Sequence, residues 1–457
     1  MPALTSDIAE FVTSVEVGAL PEQCSYGARI GMVDCVGVMI AGASEPVVRL
    51  VTTTIATSTQ NEGAPEIPSG RNLAATDAAL VNGVAAHALD YDDVGMDGHP
   101  SAVLTPAILA EGWSLDVSGS DAIAAYVAGY EVWALLQEIE PGHLHERGFH
   151  PTAIWGAFAA AAACARLNRL TVEQTRNAIA IVASLAAGVV ANFGTMTKPL
   201  HVGRTAQAGV LAARLAQSGF TGSPDALEHT AGFMRAHSPS GTPEVDRGNW
   251  QLGREWRLSK YGINIKRYPM CYATHRSIDA MLDLVHDRDL APDAIGEVHV
   301  CIGNTQSVML RNHDPKTALE AKFSLEFAMA SAMVARRVGL AELDDAFVRR
   351  TDVIENMRKV RCTTTDETLP DMPFAPKDKL SIVLKSGETI THPPVARPKG
   401  SWQKPLSDDE LRDKFIDCAT IGLGQQGADA AFRHMNGIER LASLRDLTLG
   451  LIRAPRI

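Results

Sequence analysis

The stretch Phe193-Gly-Thr-Met-Thr-Lys-Pro-Leu-His-Val-Gly-Arg204 places Lys198, His201 and Arg204 within seven residues, directly before an alanine-rich amphipathic run from Thr205 to Gln217. An uncharged run precedes it. Three potential cations in so apolar a setting are costly to bury unless an anion meets them. A helix start at Thr205 would add free N–H groups and the positive end of a helix dipole. The simplest partner for this combination is a small molecule bearing carboxylates or phosphates. A lone lysine here could equally snorkel to water from a structural loop, so the other segments with similar groups decide.

His99-Pro-Ser-Ala102 and His150-Pro-Thr-Ala153 share one pattern, each leading into apolar helix-like sequence. Proline is favoured at the first helical position, so each histidine is expected at or just before a helix start. The dipole there disfavours imidazolium, and a neutral imidazole can accept a proton or donate a hydrogen bond. The bland alternative is a capping or core histidine. Lys266-Arg-Tyr-Pro-Met-Cys-Tyr-Ala-Thr-His275 is again cationic and leads into a helix whose apolar face is Ile278, Met281, Leu282 and Val285, with His275 at its start. A solvated basic loop is the alternative. In His87-Ala-Leu-Asp-Tyr-Asp-Asp93, helical spacing would put His87 and Asp90 or Tyr91 on one face, with Asp92 and Asp93 at the helix end. These carboxylates could hold a lysine or histidine in place, act directly, or form a solvated acidic helix end.

Taken together, the segments resemble the MmgE/PrpD family, which includes 2-methylcitrate dehydratase, cis-aconitate decarboxylase and iminodisuccinate epimerase. The motifs that carry the resemblance are HALDYDD (87–93), GHPSAVLTPA (98–107), GFHPT (148–152), FGTMTKPLHVGR (193–204), GFTG (219–222), KRYPMCYATH (266–275) and EAKFS (320–324). They follow the family's order across roughly residues 5 to 425. The resemblance implies a mainly α fold: a large all-helical domain plus a smaller α+β lid domain, as a homodimer.

The sequence is compatible with that architecture. Residues 1–265 are helical in pattern; Thr171-Val-Glu-Gln174 is a capping box before an apolar run, and Ile123, Tyr126, Val127 and Tyr130 form one stripe. Further on, Glu297-Val-His-Val-Cys301 alternates like a strand, and Leu380 to His392 reads as a hairpin turning near Ser386-Gly387. Pro393 to Pro405 reads as a linker. Ser407-Asp-Asp-Glu410 is a second capping box, starting a helix expected to rejoin the first domain. The expected division is therefore an all-helical domain over 1–265 and 401–457, and an inserted α+β lid over 266–400.

At 457 residues, two domains with sizeable cores are expected. Hydrophobic residues at 46% and charged residues at 21% argue against disorder. A net charge of −11 argues against nucleic acid as a partner and sets the cationic clusters apart. No run reads as membrane-spanning: Ile154–Ala165 is too short, and Ala178–Phe193, rich in Ala and Gly, reads as a buried helix. The chain start lacks the basic and apolar pattern of a signal peptide. Seven cysteines without a CxxC pair point to free thiols in a reducing cytoplasm. There is no zinc-ligand spacing and no glycine-rich phosphate loop, and the resemblance implies chemistry without a metal or organic cofactor.

The family's substrates are small di- or tricarboxylates, and its shared step breaks a bond on a carbon next to a carboxylate. Removing a proton there builds charge on the carboxylate, which lysines and arginines stabilise, while a positioned His or Lys moves protons. A Lys198–Lys266 pair would lower the pKa of one member. The resemblance thus implies Lys198, His99, His150 and Asp90 as catalytic residues. Lys266, Arg204, His201, His275, Thr195 and Thr197 are implied as substrate-binding residues. A hydro-lyase of the 2-methylcitrate dehydratase kind ranks first, with epimerase or decarboxylase chemistry as the alternative. Decarboxylase-like relatives carry Thr where this chain has Val94, His near Cys271, and often Tyr where it has Phe327, whereas FGTMTKPLHVG is nearest the epimerase-like branch. A different class is also open: Asp92-Asp-Val-Gly-Met-Asp97 and Asp408-Asp-Glu-Leu-Arg-Asp413 have the DDxxxD spacing of metal-dependent diphosphate enzymes. A relative that only binds carboxylates is the remaining alternative.

Overall fold

The computed structural model describes residues 3–55, 63–369 and 376–447. The chain divides into two compact units, Met1–Asn264 with Asp408–Ile457, and Ile265–Ser407.

In the first unit the principal helices are α1 (Glu22–Gly42), α2 (Ala75–His87), α3 (Pro100–Leu115), α4 (Gly119–Glu138), α5 (Pro151–Leu167), α6 (Val172–Ala183) and α7 (Thr197–Gln217). Several are apolar on every face, as befits helices surrounded by other helices. In α5 the run Ala159–Ala163 is fully buried, and alanine combines high helix propensity with little bulk. α2 packs on α7, α7 on α5, and α5 on α4. α1, which carries Arg29 and Asp34 and so is not one of the uncharged runs weighed above, is long and apolar enough to cross a membrane by length and composition; 83% of its apolar window is buried within the fold.

The α2–α7 crossing depends on two glycines. A Cβ at Gly83 would lie 2.8 Å from Gly203 Cα, and one at Gly203 would lie 2.3 Å from the carbonyl oxygen of Leu80. The backbones can approach this closely only without side chains at the crossing. That approach matters because α2 ends in His87 and α7 begins beside Lys198.

Three helix boundaries differ from the sequence reading. α7 begins at Thr197, not Thr205, so Lys198, His201 and Arg204 all sit on helix. Pro199 is accommodated in the first turn, where N–H groups lack intrahelical partners in any case. α2 stops at His87 instead of running to Asp93: Asp90 has φ 53°, the left-handed conformation that Asp tolerates better than most residues. The Ala178–Phe193 run is not one helix. α6 stops at Ala183, and the chain pairs instead with the start of α5, the Gly188 carbonyl accepting from His150 N at 3.0 Å. The Thr171 capping box forms as read, with both reciprocal bonds to Gln174.

The second unit contains helix α8 (His275–Asp287), strand β1 (Ile295–Gly303), helix α9 (Leu325–Val334) and strands β2 (Val360–Thr365), β3 (Asp378–Leu384) and β4 (Thr389–Val395). The sheet order is β2-β1-β3-β4, with β1–β2 parallel and the other pairs antiparallel. The β3–β4 hairpin turns through Gly387, whose φ of 91° suits glycine. α8 lies on β3 and β4, and its Ile278, Met281 and Val285 belong to one buried core with Val298, Val300, Leu380 and Ile382. This unit is α+β and the first is helical apart from a two-residue strand pair, Ala64–Pro65 with Asn72–Leu73; the fold is mainly α. A last long helix, α10 (Asp408–Met435), interrupted at Gly424, belongs to the first unit and packs along α1.

Candidate active site

Four chain segments of the first unit converge on one cluster. The end of α2 supplies His87, and the left-handed turn after it supplies Asp90 and Asp92. The start of α3 supplies His99, and the starts of α5 and α7 supply His150 and Lys198 with His201. His99 and His150 are the N-cap residues of α3 and α5, each followed by proline, and neither side chain caps its own helix. Their rings are therefore available for other contacts. The two helix starts are stitched together by His99 N donating to Thr152 Oγ1 at 3.2 Å. The loop between Val94 and His99 is fixed by pairing of Val94 with Asn264 and by Trp133 Nε1 donating to the Met96 carbonyl at 3.1 Å.

Asp92 is the hub. His87 Nδ1 lies 3.0 Å from both of its carboxylate oxygens, and His99 Nδ1 lies 2.9 Å from Oδ2. His99 Nδ1 is also 2.9 Å from the Asp93 carbonyl oxygen. Both imidazoles face acceptors through Nδ1, so each carries its proton there, and the lone pair of His99 is at Nε2. That Nε2 is 3.9 Å from Asp90 Oδ1. Asp90 Oδ1 in turn accepts from Lys198 Nζ at 2.8 Å. The Lys198 ammonium also stands 5.1 Å from the centroid of Phe193, whose ring meets His150 edge-on at 4.8 Å. His150 Nδ1 and His201 Nδ1 are 3.2 Å apart, so one must donate and the other accept.

The electrostatics follow from burial. His87 is pushed down to about 4, by desolvation first and then by Lys198 and His99, against the pull of Asp92. His150 is held well below the usual imidazole range by burial, reinforced by His87, Lys198, His99 and His201. His201 is lowered by burial and by Lys198. Burial alone would raise Asp92, but the two imidazoles facing it outweigh burial and keep it ionised well below the usual carboxylate range. Its neighbour Asp93 is pushed up by burial and by Asp92 and Asp34, and accepts from Ser101 N at 3.2 Å. The cluster thus sets neutral imidazoles beside one ammonium, with His99 and Lys198 partly open to solvent, at 13% and 17% side-chain exposure.

The other sequence candidates are placed differently. Arg204 is exposed on α7 and bonds Gln207, not the cluster. Thr195 is also exposed: its hydroxyl donates to the Asn192 carbonyl at 2.8 Å and accepts from Thr197 N at 3.2 Å, a turn-forming role. For both, the cationic or polar residue type was legible and its direction was not, because the helix start lies eight residues earlier than read. Lys266 and His275 belong to the second unit, where both are buried; His275 Nε2 is 3.2 Å from the Met270 carbonyl oxygen. His87 and Asp92 were seen in the sequence but not counted as site residues. The misread helix end concealed that a tight turn brings residues 87, 92 and 99 together.

His87, Asp90, Asp92 and His99 offer ligand atoms all within 4.8 Å of one another, enough to hold a metal ion. The donor set fits one only in part: Lys198 already occupies Asp90 Oδ1, and both histidines present protonated Nδ1 to Asp92. The DDxxxD reading loses its geometry as well. Asp92 is enclosed by imidazoles and Asp97 pairs with the exposed His143 at 3.3 Å. The second such string, from Asp408, opens helix α10.

The helical unit, the α+β unit and the His–Asp–Lys cluster define a protein of the MmgE/PrpD class. Residues 6–246 match the MmgE/PrpD N-terminal domain and residues 268–435 the MmgE/PrpD C-terminal domain, so the chain belongs to this family. It is an enzyme of the family's lyase or isomerase kind. Among similar proteins, the cis-aconitate decarboxylase of Homo sapiens is 28% identical over 474 residues, covering 100% of this chain and 95% of that protein. That of Mus musculus is 28% identical over 478 residues, with the same coverage. The cis-aconitate decarboxylase of Aspergillus terreus is 24% identical over 483 residues, covering 99% and 96%.

Proposed function

We propose that the protein is a cofactor-independent lyase for a small tricarboxylate, working by proton abstraction beside a carboxylate, with loss of water from a hydroxy acid as its reaction. One observation carries this reading. A lysine held at 2.8 Å by Asp90 stands beside a histidine whose Nδ1 is fixed on Asp92, so that Nε2 is left as base. In this mechanism the Lys198 ammonium binds the carboxylate on which charge develops. His99 Nε2 takes the adjacent proton, and Asp92 stabilises the imidazolium that results. The C–O bond on the neighbouring carbon then breaks as the alkene forms, and the leaving hydroxide takes the imidazolium proton to depart as water, which returns His99 to its neutral state. His150 and His201, held neutral by burial, leave positive charge concentrated at Lys198 in place of a diffuse cationic patch. Thr197 is proposed to contact a remaining carboxylate. Assembly as a cytoplasmic homodimer belongs to the same proposal.

A second reading is decarboxylation of cis-aconitate. It is favoured by the names of the similar proteins, which span the whole chain. Val94 and Phe327 weigh against it, standing where the resemblance leads one to expect Thr in decarboxylase-like members and often Tyr in relatives, as does Cys271, close to where such members tend to carry His. Proton NMR in D2O of the EDTA-treated protein with citrate, 2-methylcitrate, cis-aconitate and iminodisuccinate distinguishes the readings. A new alkene signal from a hydroxy acid supports the hydro-lyase. Loss of a carboxylate from cis-aconitate replaces it with the decarboxylase, and deuterium entry without net conversion points to an epimerase. No change in any acid overturns the lyase proposal.

A further inference from the structure

The turn that carries Asp90 and Asp92 is gripped from behind by a buried ion pair. Lys414, on α10, is nearly fully buried, with 4% side-chain exposure, and its Nζ lies 2.5 Å from Asp34 Oδ1 on α1, whose side chain is 1% exposed. The same Nζ donates to the backbone carbonyl of Tyr91 at 3.0 Å and stands 4.0 Å from the centroid of the Tyr91 ring. Tyr91 is the residue between the two carboxylates of the site. On one side Asp90, in the left-handed conformation, holds Lys198; on the other Asp92 holds His87 and His99.

A buried ion pair is weak evidence for stability, because desolvating both charges offsets much of their attraction. An apolar pair would serve the α1–α10 packing as well. What an apolar pair could not do is donate a hydrogen bond to the Tyr91 carbonyl. We propose that Lys414, charge-balanced by Asp34, is a positioning residue: it fixes the Tyr91 carbonyl and thereby the mutual orientation of Asp90 and Asp92, and through them Lys198 and His99. The proposal rests on the catalytic reading of that cluster. It assigns to α10 a role in the chemistry of residues more than three hundred positions earlier.

The test uses the paired substitution Asp34→Asn with Lys414→Met, since either partner alone in an apolar setting leaves the other charge buried without compensation. Two readouts are needed. The first requires no substrate: the low-field imidazole N–H proton signals of His87 and His99 in protein labelled with 15N-histidine. The second is steady-state kinetics on whichever acid the wild type converts. Positioning predicts that the imidazole signals shift or broaden, that kcat falls at least tenfold, and that KM stays within about twofold. Asp34→Asn with Lys414→Gln, which removes both charges and keeps an amide N–H for the Tyr91 carbonyl, should retain both the signals and most of kcat. If the Lys414→Met pair does not fold, Asp34→Asn with Lys414→Leu is read the same way. Unchanged imidazole signals together with unchanged kcat per folded molecule would overturn the proposal and leave the ion pair a packing element. Shifted signals in a protein whose wild type, like its Lys198→Ala variant, converts none of the acids would sink the catalytic reading while the anchor stands.

Discussion

His99 carries the sharpest single-residue consequence, because its tautomer follows from its neighbours. With Nδ1 held by Asp92 and by the Asp93 carbonyl, only Nε2 can take a proton. His99→Ala should lower kcat by about 10²–10⁴-fold, the usual contribution of a positioned acid or base. His99→Ala turnover matching wild type would assign the base elsewhere. His87 makes a different prediction, about stability. Its folded pKa is about 4 against 6.5 for the unfolded chain, so the native state favours the neutral ring. Its contribution is present in full above pH 6.5 and declines as pH falls from 6.5 to 4, by roughly 3 kcal/mol in all. Urea unfolding followed between those pH values should show this slope, and His87→Gln should flatten it; an equal slope in the variant would contradict the assignment. At this scale much was legible. Lys198, His99 and His150 stand out as cationic or His-Pro residues in apolar sequence. Lys414 did not, although it lies at the centre of the apolar face formed by Leu411, Phe415 and Cys418 of α10. A charge placed so is the signal that it is buried with a partner.

Among the elements, the site depends on how closely α2 and α7 approach. Gly203→Ala would drive a methyl group into the Leu80 carbonyl. Overpacking of this kind costs typically about 1–3 kcal/mol. The larger effect should be on turnover, because separating these helices pulls Lys198 from Asp90. Denaturant unfolding and kinetics on the same preparation check this: we expect lost kcat even at temperatures where the variant is fully folded. Wild-type kcat in a destabilised variant would show that the crossing serves packing alone. The helices themselves were well marked in the sequence by caps and stripes, as at Thr171 and Ile123–Tyr130. Their ends near the site were not. A left-handed Asp90 and a proline in the first turn of α7 are both choices that tertiary packing makes against local propensity. They displaced the reading of α2 by several residues and of α7 by two turns.

The molecule as a whole is acidic, with a net charge of −11, and the cluster holds one ammonium, Lys198, with which a small polyanion can pair. Binding to the native state alone raises its stability with ligand concentration, so a tricarboxylate that the site accepts should raise the melting temperature of wild type more than that of Lys198→Ala. The division into a helical and an α+β unit could be read from the change of texture after residue 290. That α10 would reach the turn at Tyr91 could not, since no local pattern links residue 414 to residue 91. EDTA treatment should leave turnover unchanged, because Lys198 occupies the carboxylate that a metal ion at His87, Asp90, Asp92 and His99 would need; loss of activity restored by a divalent cation would replace the ammonium with a metal. The central claim, that one lysine beside a fixed histidine performs the chemistry, is met most directly by comparing turnover of wild type and Lys198→Ala on the same acid. The account predicts a fall of at least about 10²-fold in kcat with an unchanged circular dichroism spectrum; equal turnover in a folded Lys198→Ala protein would contradict it.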